Sequence, residues 1–189
     1  MLKDLVLRNR SYRSFAPTAV PSREELLSFI DCARLTPSGM NKQPLKYKLF
    51  HTAEECTAIL PLTRWAAALK DVKLPPEGHA PTAYIVICAD TAILPGAERS
   101  KDIGIAAQTI LLAATEVGYG GCMIGSFDAE GVRRLAALPE HLSPVLIVAL
   151  GKPDEEIVLT GCTNDNTTYY RENGIHYVPK RALEDILID

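Results

Sequence analysis

Six consecutive apolar residues, Tyr84 to Ala89, constrain the fold more than any other stretch of this sequence. A strand with one face in water alternates polar and apolar residues, whereas a continuous apolar run is typical of a strand covered on both faces. Residues 144–150 form a second run of this kind. The sequence therefore predicts a sheet with layers packed on both of its sides.

Residues with helical spacing supply those layers. The clearest predicted helix runs from Asp102 to Val117, and Gly118 ends it in the usual glycine position. Ser22 and Glu25 form a capping-box pattern that opens another helix, predicted to stop near Thr36. Further helices are expected over 54–70 and 128–138, and further strands over 46–50 and 120–124. Because helices and apolar strands alternate, and 189 residues suit one domain, we expect a single α/β or α+β domain.

Composition and charge exclude several classes of function. The net charge is -3, which argues against nucleic acid as the main partner. The five cysteines are odd in number and scattered, with no C-x-x-C pair, so neither a disulfide framework nor a zinc site is indicated. The chain opens without a signal-peptide pattern, and no apolar run approaches the ~18 residues of a membrane span. We therefore expect a cytoplasmic protein without metal.

Common cofactor motifs are also missing. The glycines near 118–121 do not have the spacing of a dinucleotide-binding fingerprint, and they follow a helix instead of a strand. Gly151 and Lys152 lack the earlier glycine of a phosphate-binding P-loop, and no G-x-S-x-G elbow is present. The four histidines are too dispersed for a metal site.

Three segments, taken together and in this order, do carry a specific pattern. The first is Asn9-Arg10-Ser11-Tyr12-Arg13-Ser14-Phe15, and the second is Pro37-Ser38-Gly39-Met40-Asn41-Lys42-Gln43-Pro44. The third combines the Asp102–Gln108 helix start with the glycine-rich stretch 118–125. Over residues 8–152 the chain resembles the FMN-dependent nitroreductase family, whose first two motifs read Arg-Arg-Ser-x-Arg-x-Phe and Pro-Ser-x-x-Asn-x-Gln-Pro.

The resemblance implies an α+β fold in which a central, mainly antiparallel sheet is flanked by helices. It also implies an intertwined homodimer, with an interface along the long helix and two FMN molecules in the dimer grooves. On this view residues 1–189 form one FMN-binding domain.

The first motif implies a phosphate site. Arginine's planar fork meets phosphate oxygens in pairs, which suits Arg10, and the adjacent Ser11 supplies a compact hydroxyl. By resemblance, Arg13 lies nearer the N1/O2 edge of the flavin, where a cation stabilises the charge of the reduced ring. The alternative for this basic cluster alone is a solvated surface turn.

The other two motifs imply contacts to the ring. By resemblance, Ser38, Asn41 and Gln43 reach the flavin of the partner subunit, and amides suit the alternating polar edge of that ring. The alternative is a self-bonded loop turn. Around the third motif the resemblance places backbone amides beside flavin N5, where small residues permit close approach. The residues concerned are Ile124, Gly125 and Ser126.

The sequence departs from the family pattern at two places. Asn9 replaces the first arginine, which puts one phosphate contact in doubt, and Arg8 is a candidate substitute. The polar, Asn/Thr-rich and aperiodic stretch 154–176 precedes Lys180 and Arg181, which resemble a displaced basic end of the phosphate site. Lys152 is the competing candidate. For Trp65 the sequence leaves three roles open: lining the substrate pocket, packing in the core, or contact with the dimer partner.

The predicted function is that of an NAD(P)H-dependent flavin oxidoreductase, a nitroreductase-like enzyme. NADH or NADPH gives hydride to N5 and leaves, and a small electron-poor acceptor such as a nitroaromatic or quinone then enters the same pocket. No side chain is needed as acid or base. The alternatives are a related flavin chemistry such as dehalogenation, a flavin-binding protein without turnover, and an interaction domain that has lost FMN.

Overall fold

The computed structural model describes residues 1–66, 69 and 72–188, and for residue 99 the backbone only. Its helices are Leu2–Arg8 (α1), Arg23–Arg34 (α2), Ala53–Ile59 (α3), Asp102–Glu116 (α4) and Ala129–Leu135 (α5). Its strands are Phe15–Ala16 (β1), Leu45–Phe50 (β2), Ala83–Asp90 (β3), Gly120–Ile124 (β4), Leu142–Pro153 (β5), Glu156–Gly161 (β6), Tyr170–Glu172 (β7) and Ile175–Lys180 (β8).

A five-stranded antiparallel sheet forms the centre of the fold. Strand β5 is its hub, because it pairs with β3, β4 and the short β1, while β2 extends the sheet beyond β3. A smaller sheet in the order β6-β8-β7 follows β5 in the chain and combines one parallel and one antiparallel pair. The predicted α+β class with a mainly antiparallel central sheet is confirmed.

Helices cover both faces of the central sheet, as the unbroken apolar run of β3 requires. All eight residues of β3 are buried, and they alternate between two cores. Ile85 and Ile87 pack with apolar residues of α2 and α4, whereas Tyr84 and Val86 pack with residues of α3 and α5. The helices α2 and α4 therefore lie on one face, and α3 and α5 on the other.

Local signals set several element boundaries correctly. Ser22 accepts a hydrogen bond from the backbone N–H of Glu25, whose carboxylate accepts one from the backbone of Ser22, so the predicted capping box begins α2. The long helix ends at Glu116, one residue before the predicted Val117, and Gly118 follows with φ +87°. No described helix has the length and apolar character that crossing a membrane requires.

Two predictions of secondary structure were wrong, one for residues 54–70 and one for residues 154–176. The helix predicted over 54–70 ends at Ile59 and continues only as a 3₁₀ turn to Leu62, because Pro61 lacks the N–H that would extend the helix. Residues 67, 68, 70 and 71 of these predicted segments lie outside the described residues. The stretch 154–176 is not aperiodic, since it contains β6, β7 and the start of β8.

Candidate functional site

A backbone pairing brings the N-terminal basic segment to the central sheet. Ser11 forms a parallel bridge with Gly121 of β4, and the backbone N–H of Tyr12 donates to the Gly121 carbonyl at 3.0 Å. Only glycine fits at position 121, because a Cβ there would lie 2.2 Å from the carbonyl oxygen of Ala149. This close packing places residues 10–13 beside the strand that leads to residues 124–126.

Two adjoining cavities lie where these segments meet. The first encloses about 340 Å³ and is lined by Arg10, Ser11, Arg13 and Lys180, among others. The second encloses about 240 Å³ and is also lined by Arg13. It includes the three predicted residues of the turn after β4, namely Ile124, Gly125 and Ser126. Seven of the predicted binding residues therefore converge in a single chain, with Arg13 shared between the two cavities.

The first cavity carries positive charge that no described carboxylate neutralises. The Arg10 Nη2 donates to the carbonyl of Val6 at 2.5 Å, while its Nε is buried with no hydrogen-bond partner among the described residues. The Arg13 Nη1 donates to the Ser11 carbonyl at 3.1 Å. Neither guanidinium forms an ion pair with any described residue. A small anion is the natural complement of this end of the site.

The turn after β4 borders the second cavity. A Cβ built on Gly125 would meet no atom of the described residues within 4 Å. Trp65 forms part of the wall, and its indole N–H donates to the Thr63 hydroxyl at 2.7 Å, which fixes the ring. Cys122 also contacts this cavity, but burial raises the pKa of its thiol, so it stays protonated at neutral pH.

The predicted Ser38, Asn41 and Gln43 do not line either of these cavities. The Ser38 hydroxyl donates to a carboxylate oxygen of Asp102 at 2.5 Å and accepts from the backbone N–H of Gln43 at 2.9 Å. The amide of Gln43 donates to Asn41 Oδ1 at 3.2 Å. Ser38 and Gln43 instead line a separate cavity of about 670 Å³ between α2 and β2. Their contact with a flavin of the partner subunit remains a prediction.

Asp102 fixes this loop to the start of α4. Burial opposes ionisation of its carboxyl, but hydrogen bonds from Ser38, Gly39 and Ser100 outweigh burial and lower its pKa. Within the loop, Met40, Asn41 and Gln43 have φ of 52°, 53° and 50°. Left-handed backbone is rare for non-glycine residues and is often kept where a binding surface needs it. Asn41 and Gln43 are exposed there.

The three basic candidates for completing the phosphate site, Lys152, Lys180 and Arg181, lie in different places. Lys180 lines the first cavity. Arg181 forms an ion pair with Asp165, and Lys152 directs its ammonium to the Gly118 carbonyl at 3.1 Å. Of these candidates, Lys180 is the one that the structure brings to Arg10 and Ser11.

The sequence reasoning missed several residues of the first cavity. They are Gln108, Tyr169 and His176, and the buried Asn9, which the sequence marked as a departure from the motif, lines the cavity beside them. Gln108 carried a usable signal, since it is a polar residue in the apolar helix α4. Tyr169 and His176 carried none, because their positions depend on how the second sheet folds back over the first motif.

His176 is buried against the positive charges of this site. Burial, together with the charges of Arg13 and Arg171, lowers the pKa of its imidazole to about 4. His176 is therefore neutral at pH 7, and its Nε2 lies 3.4 Å from Arg13 Nη1. It adds no further charge to the cavity.

Comparison with known proteins gives a consistent result. The family model described as "Nitroreductase family" matches residues 6–152. A protein of Methanothermobacter thermautotrophicus, provisionally named NADH dehydrogenase/NAD(P)H nitroreductase, is 32% identical, over 80% of this chain and 77% of its own. The Bacillus subtilis protein provisionally named NAD(P)H nitroreductase YodC is 26% identical, over 79% and 88%.

A solved structure from Exiguobacterium sibiricum, a provisionally named nitroreductase in complex with FMN, shares the fold. Its TM-score is 0.65 and its identity 17%, with 81% of this chain and 88% of the other covered. The antiparallel sheet with helices on both faces, and the basic segment docked on β4, thus define a nitroreductase-like fold. The chain belongs to the nitroreductase family.

Proposed function

We propose that this protein binds FMN and transfers hydride from NADH or NADPH to a small electron-poor acceptor. The observation that carries the proposal is the convergence of Arg10, Ser11 and Arg13 with the Gly125 turn on two adjoining cavities. The first cavity is lined by Arg10, Arg13 and Lys180, and the second adds Trp65, Met123 and Ile124 to Arg13 and Arg64. A flat ring with a phosphate tail offers an apolar surface and an anionic group to such a pair of cavities.

The phosphate end fits the first cavity. The buried Nε of Arg10 has no partner in the part of the chain that the structure describes, and Ser11 and Lys180 line the same cavity. Together they offer a planar donor, a compact hydroxyl and a point charge to a dianionic group. Asn9 lines the cavity with a neutral amide where the family pattern has an arginine, so Lys180 would supply the missing charge.

The ring end fits the second cavity. Arg13 lies between the two cavities, which suits a cation at the N1/O2 edge of the ring. The open space at Gly125 leaves room for a flat ring against the backbone, with no side chain in between. Bound FMN would supply the redox chemistry, accepting hydride at N5 and passing it to the acceptor. The residues of this chain bind, orient and shield the ring, and none needs to act as acid or base.

The site is proposed to be completed by a second copy of the chain. Ser38, Asn41 and Gln43 do not reach the two cavities of their own chain, and the latter two project from left-handed backbone. Two exposed apolar residues, Ile105 of α4 at 41% and Val117 just after that helix at 56%, are available for contact with such a partner. Light scattering on the purified protein should give the mass of a homodimer.

We further propose that the whole chain, residues 1–189, is one FMN-binding domain. The small sheet contributes Ile157, His176, Val178 and Lys180 to the cavity that Arg10 lines. The choice of NAD(P)H as co-substrate rests on the names of the two relatives described above, both provisionally called NAD(P)H nitroreductases.

A spectrum of the purified protein tests the proposal. After incubation with FMN and gel filtration, the protein should retain flavin absorbance, which NADH or NADPH bleaches under anaerobic conditions. A nitroaromatic or a quinone should then restore the colour. Retained colour that neither nucleotide bleaches would indicate a binding protein without turnover. Bleaching without reoxidation by either acceptor would indicate a related flavin chemistry, and failure to retain FMN would indicate an interaction domain.

A further inference from the structure

The Glu155 carboxylate binds the backbone of Arg13 and Ser14, next to the proposed flavin site. Its side chain is only 6% exposed. One oxygen accepts hydrogen bonds from the backbone N–H groups of Arg13 and Ser14, and the other pairs with Arg171. We propose that Glu155 is a positioning residue that fixes Arg13 for flavin binding, an inference that rests on the function proposed above.

Glu155 holds Arg13 without neutralising it. The carboxylate binds the backbone of residue 13, and its charge is matched by the guanidinium of Arg171. Charge-assisted hydrogen bonds to backbone amides are strong and directional, so this contact sets the course of the chain at Arg13. The Arg13 side chain keeps its full charge for the cavities, because it forms no ion pair with a described residue.

Residues that follow Glu155 in the chain, Tyr169 and His176, orient the side chain of Arg13. The Arg13 guanidinium lies over the ring of Tyr169, with 5.2 Å from its carbon to the ring centroid. The neutral His176 flanks it at 3.4 Å. The backbone N–H of Asp154 donates to the Ser14 carbonyl at 3.0 Å, a further link across the same junction. Backbone and side chain of Arg13 are thus both held by residues 154–176, which become part of the site.

Substitution of Glu155 tests this role against a neighbouring control. Glu155→Ala should weaken FMN binding on the order of tenfold, because contacting residues typically couple at this level. Glu156→Ala removes the same charge from the next residue, whose side chain is exposed and has no described hydrogen bond or ion pair. It should leave FMN affinity unchanged. Both affinities are measured by titrating the apoprotein with FMN and following flavin fluorescence.

A double-mutant cycle separates positioning from a general effect on stability. If Glu155 acts through Arg13, the variant Arg13→Met with Glu155→Ala should bind FMN no more weakly than Arg13→Met alone. Effects that multiply instead would overturn the inference. Glu155→Gln keeps a carbonyl acceptor for the two amides and should have an affinity between those of the wild type and Glu155→Ala. If Glu155→Ala does not fold, the cycle is run with Glu155→Gln, for which the same two outcomes apply.

The wild-type titration distinguishes two kinds of failure. A wild-type protein that binds no FMN would overturn the proposed function, and this inference with it. A wild-type protein that binds FMN, with Glu155→Ala at the same affinity, would overturn this inference alone.

Discussion

Filling the free space at Gly125 should weaken FMN binding and leave the fold unchanged. A Cβ at this position meets no atom within 4 Å, and the residue does not have left-handed backbone. Gly125 lines the cavity of about 240 Å³, so Gly125→Val adds three carbons at its edge, and the first of them meets no described atom. Forcing such groups into an occupied site costs about 1–3 kcal/mol. Since 1.4 kcal/mol is tenfold in Kd, the affinity for FMN should fall by roughly 5- to 150-fold.

The assay compares FMN affinity with stability in the same variant. The apoprotein is titrated with FMN by fluorescence, and its thermal unfolding is followed by circular dichroism. Gly161→Val is the matched control, because position 161 on β6 also has no atom within 4 Å of a Cβ and lies outside the two cavities. We expect it to bind FMN as the wild type does.

The outcome that refutes the reasoning is specific. If Gly125→Val unfolds at the wild-type temperature and binds FMN with wild-type affinity, the ring does not lie against this turn. A variant that binds weakly only because it is partly unfolded would instead contradict the free space seen at this position.

Three further predictions follow from charges at the site. Arg10→Met should weaken FMN binding by roughly 10- to 150-fold, since a hydrogen bond to a charged group contributes about 1.5–3 kcal/mol. The exposed Arg134→Met should leave the titration unchanged, and equal losses would point to net charge alone. Lys180→Ala should weaken FMN binding several-fold and flatten its dependence on salt, whereas Lys152→Ala should not; the reverse order would assign the phosphate contact to Lys152. Because the folded pKa of His176 is lowered from 6.5 to about 4, the unfolded chain binds more protons in that window, and stability is lost as the pH falls through it. His176→Gln should reduce the drop in melting temperature between pH 7 and pH 5, and an equal drop would show that another group controls it.

Most of the central fold could be predicted from local patterns in the sequence. The unbroken run of β3 required cover on two faces, and the Ser22 capping box and Gly118 set helix ends within a residue or two. These signals are local because they arise from a few neighbouring residues. The small sheet was missed because its strands are only three to six residues long, and the apolar run Ile157–Leu159 of β6 is too short to give a clear periodic pattern. Its parallel pairing of β6 with β8 joins residues distant in sequence.

The residues of the candidate site could likewise be predicted where they lie in a local motif, and not elsewhere. Arg10, Ser11, Arg13 and the Gly125 turn lie in recognisable motifs, and the bridge between Ser11 and Gly121 brings them together. The Ser38 loop has its own motif, but its proposed target belongs to another copy of the chain. Glu155 and Tyr169 lie in no recognisable motif. Both contact Arg13, which is more than 140 residues earlier in the chain, so only the folded structure shows their role.

A crystal structure of the protein grown with FMN is the most direct test of the central claim. We predict that the phosphate contacts Arg10 and Ser11, while the N5 edge of the ring faces the backbone at Gly125 and Ser126. A flavin in the cavity between α2 and β2, or at any position away from these residues, would contradict the account.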